Sequence, residues 1–186
     1  MNPALVIVDM QQWFLDENPQ PFHEKLLPNV QAALALARSA GIPVVHVITR
    51  YSHDRSDWPR VYRGKDKIWC LEGTEGVEIV DEARPLPGEP VVVKTRFSGF
   101  YESDLDGTLQ RLGVDTLFFA GYSSDVCVRL TVMDAYNRGY DQYLLADCVH
   151  AAREDTQVSI RYLQWLTQIE VITAAQMPAV WHDRSP

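Results

Sequence analysis

Apolar residues gather in six short runs along the chain, at 4–8, 43–48, 90–94, 115–120, 141–146 and 169–173. Runs of this length, rich in Val, Ile, Leu and Phe and without polar alternation, are the pattern of strands buried on both faces, as in a parallel sheet. Other segments repeat their apolar positions every three or four residues. Val30, Ala33, Leu34 and Ala37 do so and stop at Gly41, and Leu105, Leu109 and Leu112 do so before Gly113. Glycine commonly ends a helix because it takes the left-handed conformation without penalty. A third helix is predicted to begin near Ser124-Asp125, residues suited to an N-cap, and to run through Leu130, Met133 and Tyr136 to Gly139. A last helix spans 154–167, with Val158, Tyr162, Trp165 and Leu166 apolar. Strands alternating with helices predict βαβ units. The expectation is a three-layer α/β/α, Rossmann-like domain over residues 1–186, with a six-stranded mostly parallel sheet in the order 3-2-1-4-5-6. Residues 50–75 and the proline-containing turn at 85–90 fit neither period, and a loop as long as 50–75 in a compact domain often serves as a lid or binding element.

This topology gives meaning to three residues at strand tips: Asp9 after the first strand, Lys94 after the third and Cys127 just past the fourth. In an open parallel sheet, ligands bind beyond the carboxyl ends of the strands where the strand order reverses, so these distant residues converge there. Together they read as base, cation and nucleophile. Singly, each has an ordinary reading: a buried small residue, a turn-capping carboxylate, a lysine reaching solvent. In the segment Gly121-Tyr122-Ser123-Ser124-Asp125-Val126-Cys127 the thiol falls at a helix start, where the helix dipole and free N–H groups favour an anion. A free cysteine has a pKa of about 8.5, and such surroundings bring it to roughly 3.5 to 7.5, so a stabilised thiolate is expected. The N–H groups of Ser123 and Cys127 are the candidates for an oxyanion hole.

Composition narrows the partners. The chain has 186 residues, 46% of them hydrophobic, and a net charge of -8, enough for one sizeable core and contrary to a general affinity for nucleic acid or anionic membrane. No apolar run approaches the roughly 18 to 20 residues of a membrane span, so a small-molecule partner and a cytoplasmic location are expected. Three cysteines without C-x-x-C spacing suit neither a disulfide framework nor a zinc site, and Cys70 and Cys148 read as buried small groups.

With these residues in view, the chain resembles the isochorismatase-like cysteine hydrolases, which include nicotinamidases, N-carbamoylsarcosine amidase and ureidoacrylate-type amidohydrolases. The resemblance rests on Leu5 through Phe14, on Val93 through Phe100, and on Gly121 through Val128 followed by Thr131, Asp134, Ala135, Gly139 and Tyr140. It implies an Asp9-Lys94-Cys127 triad, a cis peptide at Tyr122-Ser123, and cleavage of a C–N bond in a small amide, ureido or carbamoyl compound through a thioester. It also implies a homo-oligomer, and a substrate flanked by Phe14 and Trp69; Tyr122 and Tyr101 are further candidate pocket walls, since aromatic faces suit planar amides. Arg60 and Arg63, in the same loop as Trp58 and Tyr62, are candidates for a carboxylate. Members that hydrolyse the vinyl ether of isochorismate typically lack the cysteine.

Metal-dependent nicotinamidases in that family place an Asp and two His together after the second strand. Here Ser52-His53-Asp54-Arg55-Ser56-Asp57 offers one His, and His46 lies inside the second strand, so neither a metal nor another cofactor is expected. Alternatives from other classes are isochorismatase-type ether hydrolysis, a catalytically idle member acting as a binding module, and a signalling receiver module. The last needs an acidic cluster beside Asp9 that the sequence lacks.

Overall fold

The computed structural model describes residues 1–17 and 20–182. Strands β1 (Pro3–Val8), β2 (Val44–Thr49), β3 (Val91–Lys94), β4 (Thr116–Tyr122), β5 (Asp141–His150) and β6 (Glu170–Ile172) form one sheet in the order β3-β2-β1-β4-β5-β6. Every neighbouring pair is parallel, and β1, at the centre, aligns Val8 with Val47 on one side and with Gly121 on the other. The six apolar runs of the sequence are thus the six strands, in the expected order. The chain from Leu5 to Val8 and all of β4 are buried because both faces of the sheet are covered.

Successive residues of a strand point to opposite faces, which divides the core in two. Leu5, Ile7, Phe118, Ala120, Tyr143 and Leu145 meet Val30, Leu34 and Ala37 of α2 (Gln20–Ser39) and Met177 of α6 (Met177–His182). Val6, Val8, Val47, Phe119 and Leu144 meet α3 (Leu105–Leu112), α4 (Cys127–Asn137) and α5 (Thr156–Thr167) on the other face. Each fully buried Leu, Val or Phe contributes about 1.5–3 kcal/mol of transfer free energy, so the two layers hold the strand tips in fixed register. A short helix, α1 (Gln12–Asp16), follows β1 directly. No helix among the described residues is long and apolar enough to cross a membrane.

Two helices differ from their sequence reading. The α4 helix begins at Cys127, not at Ser124-Asp125. Asp125 spends its carboxylate on the N–H groups of Ala152 and Arg153, at 2.8 and 2.9 Å, and Val126 has non-helical dihedrals. In α5, capped by Asp155 on the N–H groups of Gln157 and Val158, the buried face carries Ser159, Ile160, Leu163 and Thr167. Val158, Tyr162 and Trp165, the apolar positions that stood out in the sequence, are exposed; Arg129 lies over the Tyr162 ring.

The stretch after β2 is also more ordered than its composition suggests. Tyr51 and Leu71 form a parallel bridge at its neck, with Tyr51 N–H on Cys70 O at 3.0 Å and Glu72 N–H on Tyr51 O at 2.8 Å. Inside, Tyr51, Trp58 and Ile68 make a separate small cluster against Tyr62, Trp69 and Leu71. Trp58 donates its indole N–H to Ser52 O at 2.8 Å, and Asp57 accepts from the N–H and hydroxyl of Ser52. Arg96, just past β3, donates to Asp57 O at 2.7 Å and ties the segment to the sheet.

Candidate active site

Asp9 leaves β1 in the left-handed region, with φ of 48°, and its N–H bonds to Val47 O at 2.8 Å. That turn points the carboxylate across the ends of β2 and β3. Lys94 ends β3, and Cys127 opens α4 after β4, so the three motifs of the sequence meet over the centre of the sheet. Lys94 Nζ lies 2.8 Å from Asp9 Oδ2 and 3.5 Å from Cys127 Sγ. All three are enclosed: Asp9 is fully buried, Lys94 is 1% exposed and Cys127 8% exposed.

Beside the triad, β4 passes β1 with almost no separation. A Cβ on Gly121 would stand 2.0 Å from Val8 O, and its φ of 114° disfavours any other residue. The Tyr122–Ser123 peptide that follows is cis. Val126 and Val128 donate their N–H groups to Ser123 O at 3.1 and 3.0 Å, curling the segment under Cys127. Thr131 then fastens the start of α4 to the chain after β3: its hydroxyl donates to Cys127 O at 2.7 Å and accepts the Gly99 N–H at 2.9 Å.

Electrostatics in so dry a site are dominated by burial. Burial and the Asp9 carboxylate push the Cys127 thiol up while Lys94 pulls it down, and the net direction is up. The resting group is therefore a thiol beside the Asp9 carboxylate, not the thiolate expected from a helix start; withdrawal from water outweighs the helix dipole. Burial acts to lower Lys94, but the Asp9 carboxylate overcomes it and the net direction is up. Coulomb attraction is strong where water is excluded, which is why a carboxylate 2.8 Å away can offset the burial of the ammonium.

Among the other predicted wall residues, Phe14 faces Tyr122 with ring centroids 5.6 Å apart, next to the cis peptide. Trp69 is half-buried, edge-on to Tyr51 and Tyr62 at 6.0 and 4.5 Å. Tyr101 is exposed on the turn after β3, its N–H on Ser98 O, and Arg60 and Arg63 are exposed. His53 is exposed and His46 is buried inside β2 against Glu89 at 3.1 Å. Among the described residues no group of three or more His, Cys, Asp and Glu side chains is placed to hold a metal ion.

Sequence reasoning missed Gln11, Thr49, Tyr51 and the setting of Cys70. Gln11 and Thr49 are buried polar residues whose side chains bond to strand ends. Tyr51 is buried and its phenol is pushed up by burial, within electrostatic reach of Lys94, Asp9 and Cys127. Cys70, buried and at φ of 50°, lies within the same reach. Gln11 stands two residues from Asp9 in a motif the sequence did display, and the other three carry no signal until the loop is folded.

Comparison with known proteins places the chain among relatives of one family. The family model for the isochorismatase domain matches residues 3–176. The ureidoacrylate amidohydrolase RutB of Pseudomonas savastanoi is 31% identical over 180 residues, covering 82% of this chain and 72% of that protein. An isochorismatase family protein from Desulfovibrio vulgaris superposes with a TM-score of 0.86 at 30% identity, covering 97% of this chain and 98% of that one. The N-carbamoylsarcosine amidase of Thermoplasma acidophilum superposes with a TM-score of 0.82 at 31% identity, over 94% and 97% of the two chains.

Proposed function

The chain belongs to the isochorismatase family, and from that premise we propose that it is a cysteine-dependent amidohydrolase acting on a small amide, ureido or carbamoyl compound through a thioester. The observation that carries the reading is the buried contact of one ammonium with both a carboxylate and a thiol, Lys94 Nζ at 2.8 Å from Asp9 Oδ2 and 3.5 Å from Cys127 Sγ. In water a thiol loses its proton unaided near pH 8 to 9; here burial opposes ionisation, so the proton needs a partner at hand.

In this mechanism Asp9 takes the thiol proton as the sulfur attacks the substrate carbonyl carbon, and Lys94 balances the charge left on the site. The N–H groups of Ser123 and Cys127 stabilise the oxyanion. Asp9 returns the proton to the leaving nitrogen, the C–N bond breaks, and the acyl group stays on Cys127. A water then gives its proton to Asp9 and its oxygen to the thioester carbon. The C–S bond breaks and Asp9 restores the proton to sulfur. Phe14, Tyr122 and Trp69 supply flat walls for a planar group. Arg55, Arg60, Arg63, Lys65 and Lys67 outnumber Asp54, Asp57 and Asp66 in the segment that carries Trp69, which favours a substrate with a carboxylate. The reading also includes self-association, for which the exposed Val158, Tyr162 and Trp165 of α5 are an available apolar surface; light scattering reads the mass.

The test is ammonia release from a panel of small amides, carbamoyl and ureido compounds by the unaltered protein and by Cys127→Ala, with isochorismate assayed in parallel. Thiol-dependent ammonia release is expected. Equal consumption of isochorismate by both proteins, with every amide inert, replaces this reading with ether hydrolysis.

A further inference from the structure

Thr49, the last residue of β2, bonds to both charged members of the triad. Its hydroxyl accepts from Lys94 Nζ at 2.7 Å and donates to Asp9 Oδ1 at 3.0 Å. An ammonium has only donors and a hydroxyl has one proton, so the direction of this relay is fixed: the Thr49 proton points to Asp9. Oδ1 is thereby occupied by a donor. Oδ2 is close to Nζ but lies outside hydrogen-bonding geometry with it, and is buried without another hydrogen bond. The carboxylate oxygen left to receive a proton from sulfur is therefore Oδ2.

The position of Thr49 is itself clamped. Its N–H donates to Gln11 Oε1 and its carbonyl accepts from Gln11 Nε2, both at 2.8 Å, and the same Nε2 donates to Val77 O at 2.8 Å. Gln11 is fully buried and leaves the same turn as Asp9. The amide thus locks the end of β2 to the end of β1, and the hydroxyl carries that register to the charged groups.

We propose that Thr49 is a positioning residue, which fixes the orientation of the Lys94–Asp9 ion pair so that Nζ also reaches Sγ and Oδ2, the oxygen its hydroxyl does not fill, faces the thiol proton. The proposal rests on the amidohydrolase reading of the triad. Without the hydroxyl, one ammonium donor and one carboxylate oxygen lose their partners in a dry site. The ion pair, already in contact at 2.8 Å, then loses the group that fixes its orientation, and the ammonium turns away from the sulfur.

The experiment compares the unaltered protein with Thr49→Val and Thr49→Ser by two measurements. One is amide hydrolysis as a function of pH; the other is the rate of Cys127 alkylation by iodoacetamide as a function of pH, with the modified peptide identified by mass because Cys70 and Cys148 are also free thiols. Thr49→Val is expected to lower kcat by about 10²-fold, the scale on which small misplacement of a reacting group acts, and to leave KM within about threefold. Alkylation slows by about tenfold or more, as thiolate character controls thiol reactivity, and its pH midpoint moves upward. Thr49→Ser, which keeps the hydroxyl, stays within about threefold of the unaltered protein in both assays. Unchanged alkylation and an unchanged pH midpoint in Thr49→Val overturn the proposal. So does a Thr49→Ser protein as impaired as Thr49→Val, because that assigns the role to the methyl group. Thr49→Ala gives the same comparison if the valine variant does not fold. Alkylation needs no substrate, so a chain that turns over no amide but shows these shifts overturns the reaction assigned to the triad and leaves the role of Thr49 standing.

Discussion

The triad and the 51–71 segment lie side by side and are built in opposite ways. At the strand tips, the sheet register, the close pass of Gly121 on Val8 and the Gln11–Thr49 clamp hold each charged group in place. In the 51–71 segment, a small aromatic cluster and a few bonds to main chain hold a stretch whose outer face is exposed and basic. On the proposed function, the difference separates two tasks. Chemistry needs sub-ångström placement and takes it from the core, whereas substrate choice needs a surface that can change without disturbing the core.

The sharpest way to break the comparison is at the nucleophile. Cys127→Ala should reduce kcat/KM by at least about 10³-fold with little change in melting temperature, measured by amide hydrolysis and thermal unfolding. Retained activity removes the strand tips as the seat of chemistry. Next in size is Gly121→Ala, which forces a Cβ into Val8 O and should cost about 3 kcal/mol or more in a urea titration, if the protein folds at all. A loss below about 1 kcal/mol would mean the two strands can part, contrary to a rigid floor.

Trp58→Ala probes the other side. It empties the small cluster of the 51–71 segment, but that cluster is separate from both main cores. Global stability should fall by less than about 1 kcal/mol, because the segment opens as a local unit, while KM rises by about tenfold and kcat stays within about threefold. A large loss of global stability would show that the segment is part of the core.

The smallest effect lies at the far end of β2. Burial depresses the His46 pKa below 6.5, and Glu89, despite an opposing effect of burial, is held down at about 2 by hydrogen bonds from Arg38, the Leu86 N–H and His46. The His46–Glu89 contact is thus a hydrogen bond of a neutral imidazole, with Arg38 supplying the positive charge. The unfolded chain binds more protons at both sites, so both contributions are present above pH 6.5 and decline as pH falls. His46 loses its share as pH falls below 6.5, and Glu89 between about 4.5 and about 2. Denaturant midpoints from pH 8 to pH 4 should fall by less for His46→Gln than for the unaltered protein; parallel curves would remove His46 from this dependence.

The strand pattern was readable because a strand buried on both faces has no choice but a continuous apolar run, and the order followed from the rules of parallel sheets. The meeting of Asp9, Lys94 and Cys127 was readable because each sits at the end of such a run or a few residues past it. The start of α4 was not, since Asp125 was as good a cap as it looked but another part of the chain took its carboxylate. The buried face of α5 was hidden by aromatic residues on its outer side, which outweigh Ile160 and Leu163 in apolar bulk. Thr49 ends an apolar strand as any β-branched residue does, and only the meeting of three strand tips gives its hydroxyl two charged partners. Cys127 shows the limit of local reasoning about charge: the helix start was visible in sequence, but the depth of burial was not.

The bridge between Tyr51 and Leu71 brings the two ends of the intervening segment together at the edge of the site. Such a neck makes the stretch between a replaceable cassette. Once its ends are pinned, lengthening the loop costs little, about 0.6 kcal/mol for each doubling. New side chains can therefore be carried to the mouth of the site by insertion or exchange, leaving the three strand tips untouched.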